Sequence, residues 1–178
     1  MTHKTKLLTL SIVIALTILA CSTATNGGDG TAANILFEDD FSKTSTGWDQ
    51  ETYPDGLTDY ADGAYKIGIY AESKFFWANP YKNYEDVIVE VEAQKVSGGD
   101  DMQYGVICRH QDVENWYTLA VTAKGFAIIR KRFNGGDLEF ITELEEAPSV
   151  FTGNGTNLLR AECVGDRLSL YVNGELVI

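Results

Sequence analysis

Between Ile35 and Ile178, apolar residues recur at every second position, and that period excludes most folds. Val87, Val89, Val91 and Ala93 share one face of an extended segment, with Ile88, Glu90, Glu92 and Gln94 on the other. Tyr104, Val106 and Cys108 alternate with Gly105, Ile107 and Arg109, and Tyr117, Leu119 and Val121 with Trp116, Thr118 and Ala120. Leu168, Leu170 and Val172 alternate in turn with Ser169, Tyr171 and Asn173. A period of two puts successive side chains on opposite faces of a strand; helical spacing is scarce. Between the runs stand Ser97-Gly98-Gly99-Asp100, Lys124-Gly125, Asn134-Gly135-Gly136-Asp137, Gly165-Asp166 and Asn173-Gly174. Asn and Gly accept the positive φ that tight hairpins require.

The pattern predicts strands near 35–41, 64–71, 74–78, 84–96, 102–110, 114–122, 125–133, 137–143, 157–164 and 166–173, with a last one starting at 175. Many short strands with regular turns mean an all-β, antiparallel, two-sheet jelly-roll sandwich, and 35–178 is one domain by size. All the aromatic residues lie in that range. The final hairpin arm, Glu175 to Ile178, stops on Leu176-Val177-Ile178. Natural sheets avoid apolar edge strands, so the chain is expected to be C-terminally truncated relative to a complete domain.

The N-terminus carries a different signal. Lys4 and Lys6 precede an uncharged apolar run, Leu7 to Ala20, that ends in Ile18-Leu19-Ala20-Cys21. A basic start, an apolar stretch and small residues at the cut describe an export signal. The run is shorter than the ~20 residues a spanning helix needs. The ending resembles the lipobox of bacterial lipoproteins. That resemblance implies a signal peptide over 1–20 and lipid attachment (palmitate included) at Cys21. The protein would then be exported and anchored to a bacterial membrane on its extracytoplasmic side. Ser22 to Asn34, STATNGGDGTAAN, has no apolar residue larger than Ala and reads as a tether. With Cys21 it makes a lipid-anchored flexible segment over 21–34.

Charge narrows the partners. Removing residues 1–20 takes two lysines and no acid from 14 basic and 26 acidic residues, leaving a mature charge of −14. Such a surface repels phosphate backbones, so nucleic acid is not expected as a partner. Beyond Cys21, the cysteines are Cys108 and Cys163, an even number for an oxidising compartment. A disulfide between them is expected, with two buried thiols as the alternative.

Several segments together resemble a known superfamily. Leu36-Phe37-Glu38-Asp39-Asp40-Phe41 with Gly47-Trp48, and Tyr104 to Asp112 running into Asn115-Trp116-Tyr117, resemble concanavalin A-like jelly-roll domains of bacterial lipoproteins. Asn157 to Cys163 with Gly165 to Gly174 resembles the late hairpin of laminin G-like and 3-keto-disaccharide hydrolase-like domains. The resemblance implies two curved antiparallel sheets of six to seven strands each, one of them concave. Members bind glycans, bind proteins or cleave polysaccharides, and fold alone does not choose.

Chemistry-bearing residues are few. Glu90 and Glu92 share a strand face at about 6.6 Å along the chain, a separation suited to glycoside hydrolysis. They are weak catalytic candidates, because an acid pair on a half-buried strand is ordinarily its solvent face. His110 is the only histidine of the mature chain, which excludes a His-rich zinc site. No Gly-x-Ser-x-Gly elbow, phosphate loop or dinucleotide fingerprint occurs. Asp39 and Asp40 are weak Ca²⁺ candidates for a structural ion, and no cofactor is otherwise expected. Trp77, Tyr84, Trp116 and Tyr117 could stack on sugar rings, and Arg109 could hydrogen-bond hydroxyls, with core packing as the competing role for each ring.

The expected function is non-catalytic carbohydrate binding by a lipid-anchored extracytoplasmic module. One alternative is a sugar hydrolase or lyase of the 3-keto-disaccharide hydrolase-like or glucanase type. Another is a laminin G-like structural or protein-binding domain.

Overall fold

A computed structural model describes residues 34–178. The signal peptide, Cys21 and the tether up to residue 33 lie outside the described residues. Asp39–Ile178 forms one compact unit. Among the described residues it is all-β.

A three-stranded antiparallel sheet comes first, β1 (Glu51–Tyr53), β2 (Gly56–Ala61) and β3 (Ala64–Ile69). Ala61 pairs with Ala64 across Asp62-Gly63, both at positive φ, which is the two-residue hairpin that Asp-Gly favours. A four-stranded sheet follows in the order β12-β11-β10-β4, from β4 (Val87–Gln94), β10 (Thr156–Val164), β11 (Arg167–Val172) and β12 (Glu175–Leu176). The third sheet runs β5-β6-β7-β8, from β5 (Gln103–Asp112), β6 (Asn115–Thr122), β7 (Phe126–Arg132) and β8 (Glu139–Phe140). Its fifth strand, β9 (Glu145–Glu146), pairs with the start of β7 on the side where β8 pairs with its end.

The four- and five-stranded sheets pack face to face as a sandwich. Leu159, Ala161, Leu170 and Val172 from one meet Val106, Leu119, Val121 and Ile129 from the other in a single buried cluster. Each larger aliphatic side chain there contributes about 1.5–3 kcal/mol by leaving water. The alternation on β4 holds, with Val87, Val89, Val91 and Ala93 turned to the core. A disulfide joins Cys108 of β5 to Cys163 of β10, with Cα atoms 6.6 Å apart. That distance falls in the ordinary bridging range.

The structure corrects several expectations. The sheets hold four and five strands rather than six to seven. No strand forms over 35–41, because the Asp39 and Asp40 carboxylates accept from the amides of Phe41 and Ser42, at 2.8 and 2.9 Å, and turn the chain there. Residues 74–78 are extended but pair with no strand. Their side chains alternate all the same: Phe75 and Trp77 pack on Trp116, and Phe76 on Tyr53. The strand expected at 137–143 shrinks to β8. At the C-terminal end β12 is the edge strand of its sheet, with Leu176 exposed and with Val177 and Ile178 packed against the core.

Candidate ligand-binding site

The five-stranded sheet has two faces, and the one turned from the core is the unusual one. β-pairing puts Ile107 of β5, Thr118 of β6, Arg130 of β7 and Phe140 of β8 in one row. The neighbouring rows carry Gly105, Ala120 and Ile128, then Gln103, Thr122, Phe126 and Glu146 of β9; at the other end Trp116 sits beside Arg132. Glu146, at the far end of its row, is the one carboxylate among these residues, on a chain with 26 acids.

Small side chains on β6 make room for a long one. Arg130 reaches across β6 and donates from Nη2 to Oε1 of Gln103 on β5. Thr118, Ala120 and Thr122 lie beneath at 3, 3 and 5% exposure. Burial draws the Arg130 guanidinium below its ordinary pKa. Arg132 donates to the carbonyl of Gly135 at 3.2 Å. Nε of both arginines is buried without a partner. A guanidinium has five N–H donors. Each arginine therefore keeps donors at a half-exposed tip, and among the described residues no carboxylate pairs with either.

Rings border this face. Trp116 stacks on Phe75, with centroids 5.0 Å apart and planes 12° apart. Trp77 lies 6.3 Å from Trp116 and 6.3 Å from the exposed His110. The structure thus brings Trp77, Trp116 and His110 together. Trp116 itself is only 2% exposed and donates from Nε1 to the Val113 carbonyl, so it supports the rim and offers no face to a ligand. This corrects the expectation for its ring. Trp77 and Phe75 are the rings within reach.

The remaining expected residues fall elsewhere. Arg109 sits at a β-bulge with φ of 50°, which aims it at Asp86, 3.4 Å away, and at the Gly165 carbonyl. Its role is to tie β5 to the β10–β11 turn, so it is corrected from ligand contact to structural tie. Tyr117 lies on the core face beside Cys108, which removes it from the site. Tyr84, 39% exposed, belongs to the loop before β4. Glu90 and Glu92 stand on the outer face of the other sheet, where Glu90 pairs with Arg160 at 3.6 Å. They share no cleft with the arginine face. Asp39 is occupied twice, by the Phe41 amide and by Nε1 of Trp48 at 2.9 Å, and Asp40 caps Ser42. Among the described residues no three His, Cys, Asp or Glu side chains group as metal ligands.

The sequence reading missed Arg130, Arg132 and Gln103. Cations on the polar face of β7 look like a solvated face. Only the pairing register, which sets the arginines beside small residues and directly opposite no acid, marks them.

No protein-family model and no curated protein matches the chain. Among solved structures it is similar to the carbohydrate-binding module CBM66 from Bacillus subtilis. Identity is 23%, over 75% of this chain and 78% of that one, with a TM-score of 0.51. The likeness is one of fold, a β-sandwich.

Proposed function

We propose that the protein is a lipid-anchored extracytoplasmic module that binds a glycan, without chemistry on it, at the far face of β5–β7. One observation carries the reading: two half-buried arginines with unused donors and no acid partner stand on a floor of small residues. Sugars present flat apolar faces and clustered hydroxyls. Planar guanidinium and amide groups match the hydroxyls, and a ring such as Trp77 matches the face. The fold shared with a solved carbohydrate-binding module supports the same reading. Anchoring rests on the N-terminal lipobox resemblance.

Glycan arrays and calorimetry with the purified protein test it. Arg130→Ala or Arg132→Ala should weaken the best array hit by about tenfold or more, the worth of one charge-assisted hydrogen bond. Trp77→Ala should weaken it too, and Glu90→Gln should leave it unchanged. Binding to no glycan would favour the protein-binding alternative. Sugar release abolished by Glu90→Gln or Glu92→Gln would favour the hydrolase. Labelled palmitate entering a Cys21→Ser protein would refute the anchor.

A further inference from the structure

Six of the twelve lysines and arginines among the described residues pair with a carboxylate. Arg109 pairs with Asp86, Arg160 with Glu162 at 2.7 Å, Lys131 with Glu139, Lys95 with Asp100, Lys124 with Asp101 and Lys74 with Asp55. Arg167, the exposed first residue of β11, has no such pair. Arg130 and Arg132 differ from all of these. They are half-buried, two residues apart on one face of β7, and balanced only by a neutral amide and a backbone carbonyl. In a chain with nearly twice as many acids as bases, two neighbouring guanidiniums with no carboxylate paired to either are a selective arrangement.

We infer that the ligand bound on this face is a glycan bearing a carboxylate, a uronic acid, held by the guanidinium of Arg130 or Arg132 with the other arginine on neighbouring hydroxyls. The inference rests on the glycan-binding reading above and adds the charge of the sugar. Three considerations favour a carboxylate. The guanidinium fork and the carboxylate match as two parallel, charge-assisted hydrogen bonds. A half-buried cation gains more from an anion than from a hydroxyl, because the surroundings screen it poorly. The i, i+2 spacing, about 6.6 Å, is too wide for one carboxylate to engage both forks squarely, but suits a carboxylate and the hydroxyls of the same or the next ring. The strongly negative remainder of the surface would repel densely charged polymers at long range, which favours a sparsely charged chain.

The test uses oligosaccharides in which a single galacturonate, glucuronate or mannuronate interrupts neutral sugars, each beside its carboxyl-reduced counterpart, with neutral and sulfated oligosaccharides in parallel. At least one uronate should bind about tenfold or more tighter than its reduced form. Arg130→Gln or Arg132→Gln should remove that preference while the melting temperature holds. If Arg130→Gln fails to fold, Arg130→Lys keeps the charge without the fork and should still narrow the preference. Equal binding of acid and reduced forms, or binding of neutral sugars alone, overturns the inference and leaves the glycan-binding reading standing. Preference for sulfate alone, or a uronate preference that survives both arginine variants, overturns it as well. Binding to none of these glycans overturns the inference and the function together.

Discussion

Asn157 makes five hydrogen bonds through its side chain, and it is fully buried. Its Nδ2 donates to the Tyr104 hydroxyl, the Phe151 carbonyl and the Gly155 carbonyl, and its Oδ1 accepts from the Phe151 amide and from Asn173. Asn173, in the tight turn after β11, accepts in turn from the Leu158 amide and donates to the Ser149 carbonyl. One amide therefore binds β10 to β5 and to the loop before it. Asn157→Leu keeps the volume but strands several buried groups at once, each worth about 1–3 kcal/mol when unsatisfied. We expect a loss of about 3 kcal/mol in chemical denaturation; a loss under about 1 kcal/mol would show that water replaces the amide. Tyr104 adds a pH signature. Burial raises its phenol above the ordinary value, against a smaller opposing effect of the Asn157 bond. A raised folded-state pKa means that the fold favours the neutral phenol. That contribution is complete below the unfolded value, about 10, and fades as pH climbs through the folded one. Tyr104→Phe should flatten the alkaline fall in stability, and an unchanged slope would remove Tyr104 as its source.

Strands are held here by register as much as by hydrophobic pattern, and Gly105 shows how tightly. A Cβ built at Gly105 would sit 2.1 Å from the Leu119 carbonyl oxygen and 2.7 Å from Cα of Ala120. Those are backbone atoms of β6 and cannot swing aside. Gly105→Ala should therefore spread β5 from β6 and destabilise by about 1–3 kcal/mol, the usual cost of overpacking. It should also loosen the Gln103–Arg130 bond. Stability and affinity both unchanged would mean that the two strands yield freely. The alternation of β4–β7, β10 and β11 was legible because each buries one face against an opposing sheet. β1 and β2 were not, since Gly56–Ala61 is not separated into an apolar and a polar face; Asp62-Gly63 was the readable signal, and it was passed over. The reverse error occurred at 74–78, where Phe75 and Trp77 alternate with Phe76. Periodicity there reports an extended backbone packed on both sides, not a hydrogen-bonded ladder. The site was legible only in outline. The β5–β6 hairpin and its rings pointed to the sheet and end on which the proposed site lies. But Trp116 is buried, Arg109 is diverted by the bulge, and the two arginines on β7 needed the cross-strand register to be told from a solvated face.

At the scale of the molecule, the two core sheets are joined through packed side chains and through one covalent link. Cys108 is on β5, the edge strand of its sheet, and Cys163 is on β10, between β11 and β4. Both are buried, and the Arg109–Asp86–Gly165 contacts lie at the same end of the sandwich. The bridge closes a loop of 55 residues, which in the chain-entropy picture restricts the unfolded chain by about 4 kcal/mol. A marginally stable domain has only about 5–15 kcal/mol in total, so the link is a large share of what keeps the sheets together. Replacing both cysteines by alanine should therefore lower unfolding stability by about 4 kcal/mol, whereas a loss under about 1 kcal/mol would mean that the sheets hold without it. Arg130 and Arg132 lie on β7 and on the opposite face from the bridge, and the contact of Arg130 with β5 is at Gln103, the far end of that strand from Cys108's bulge. Well below its melting temperature, the double-alanine protein should then bind glycan with unchanged affinity. A fall in affinity in the folded variant would show that the bridge sets the geometry of the arginine face as well as the stability of the sandwich.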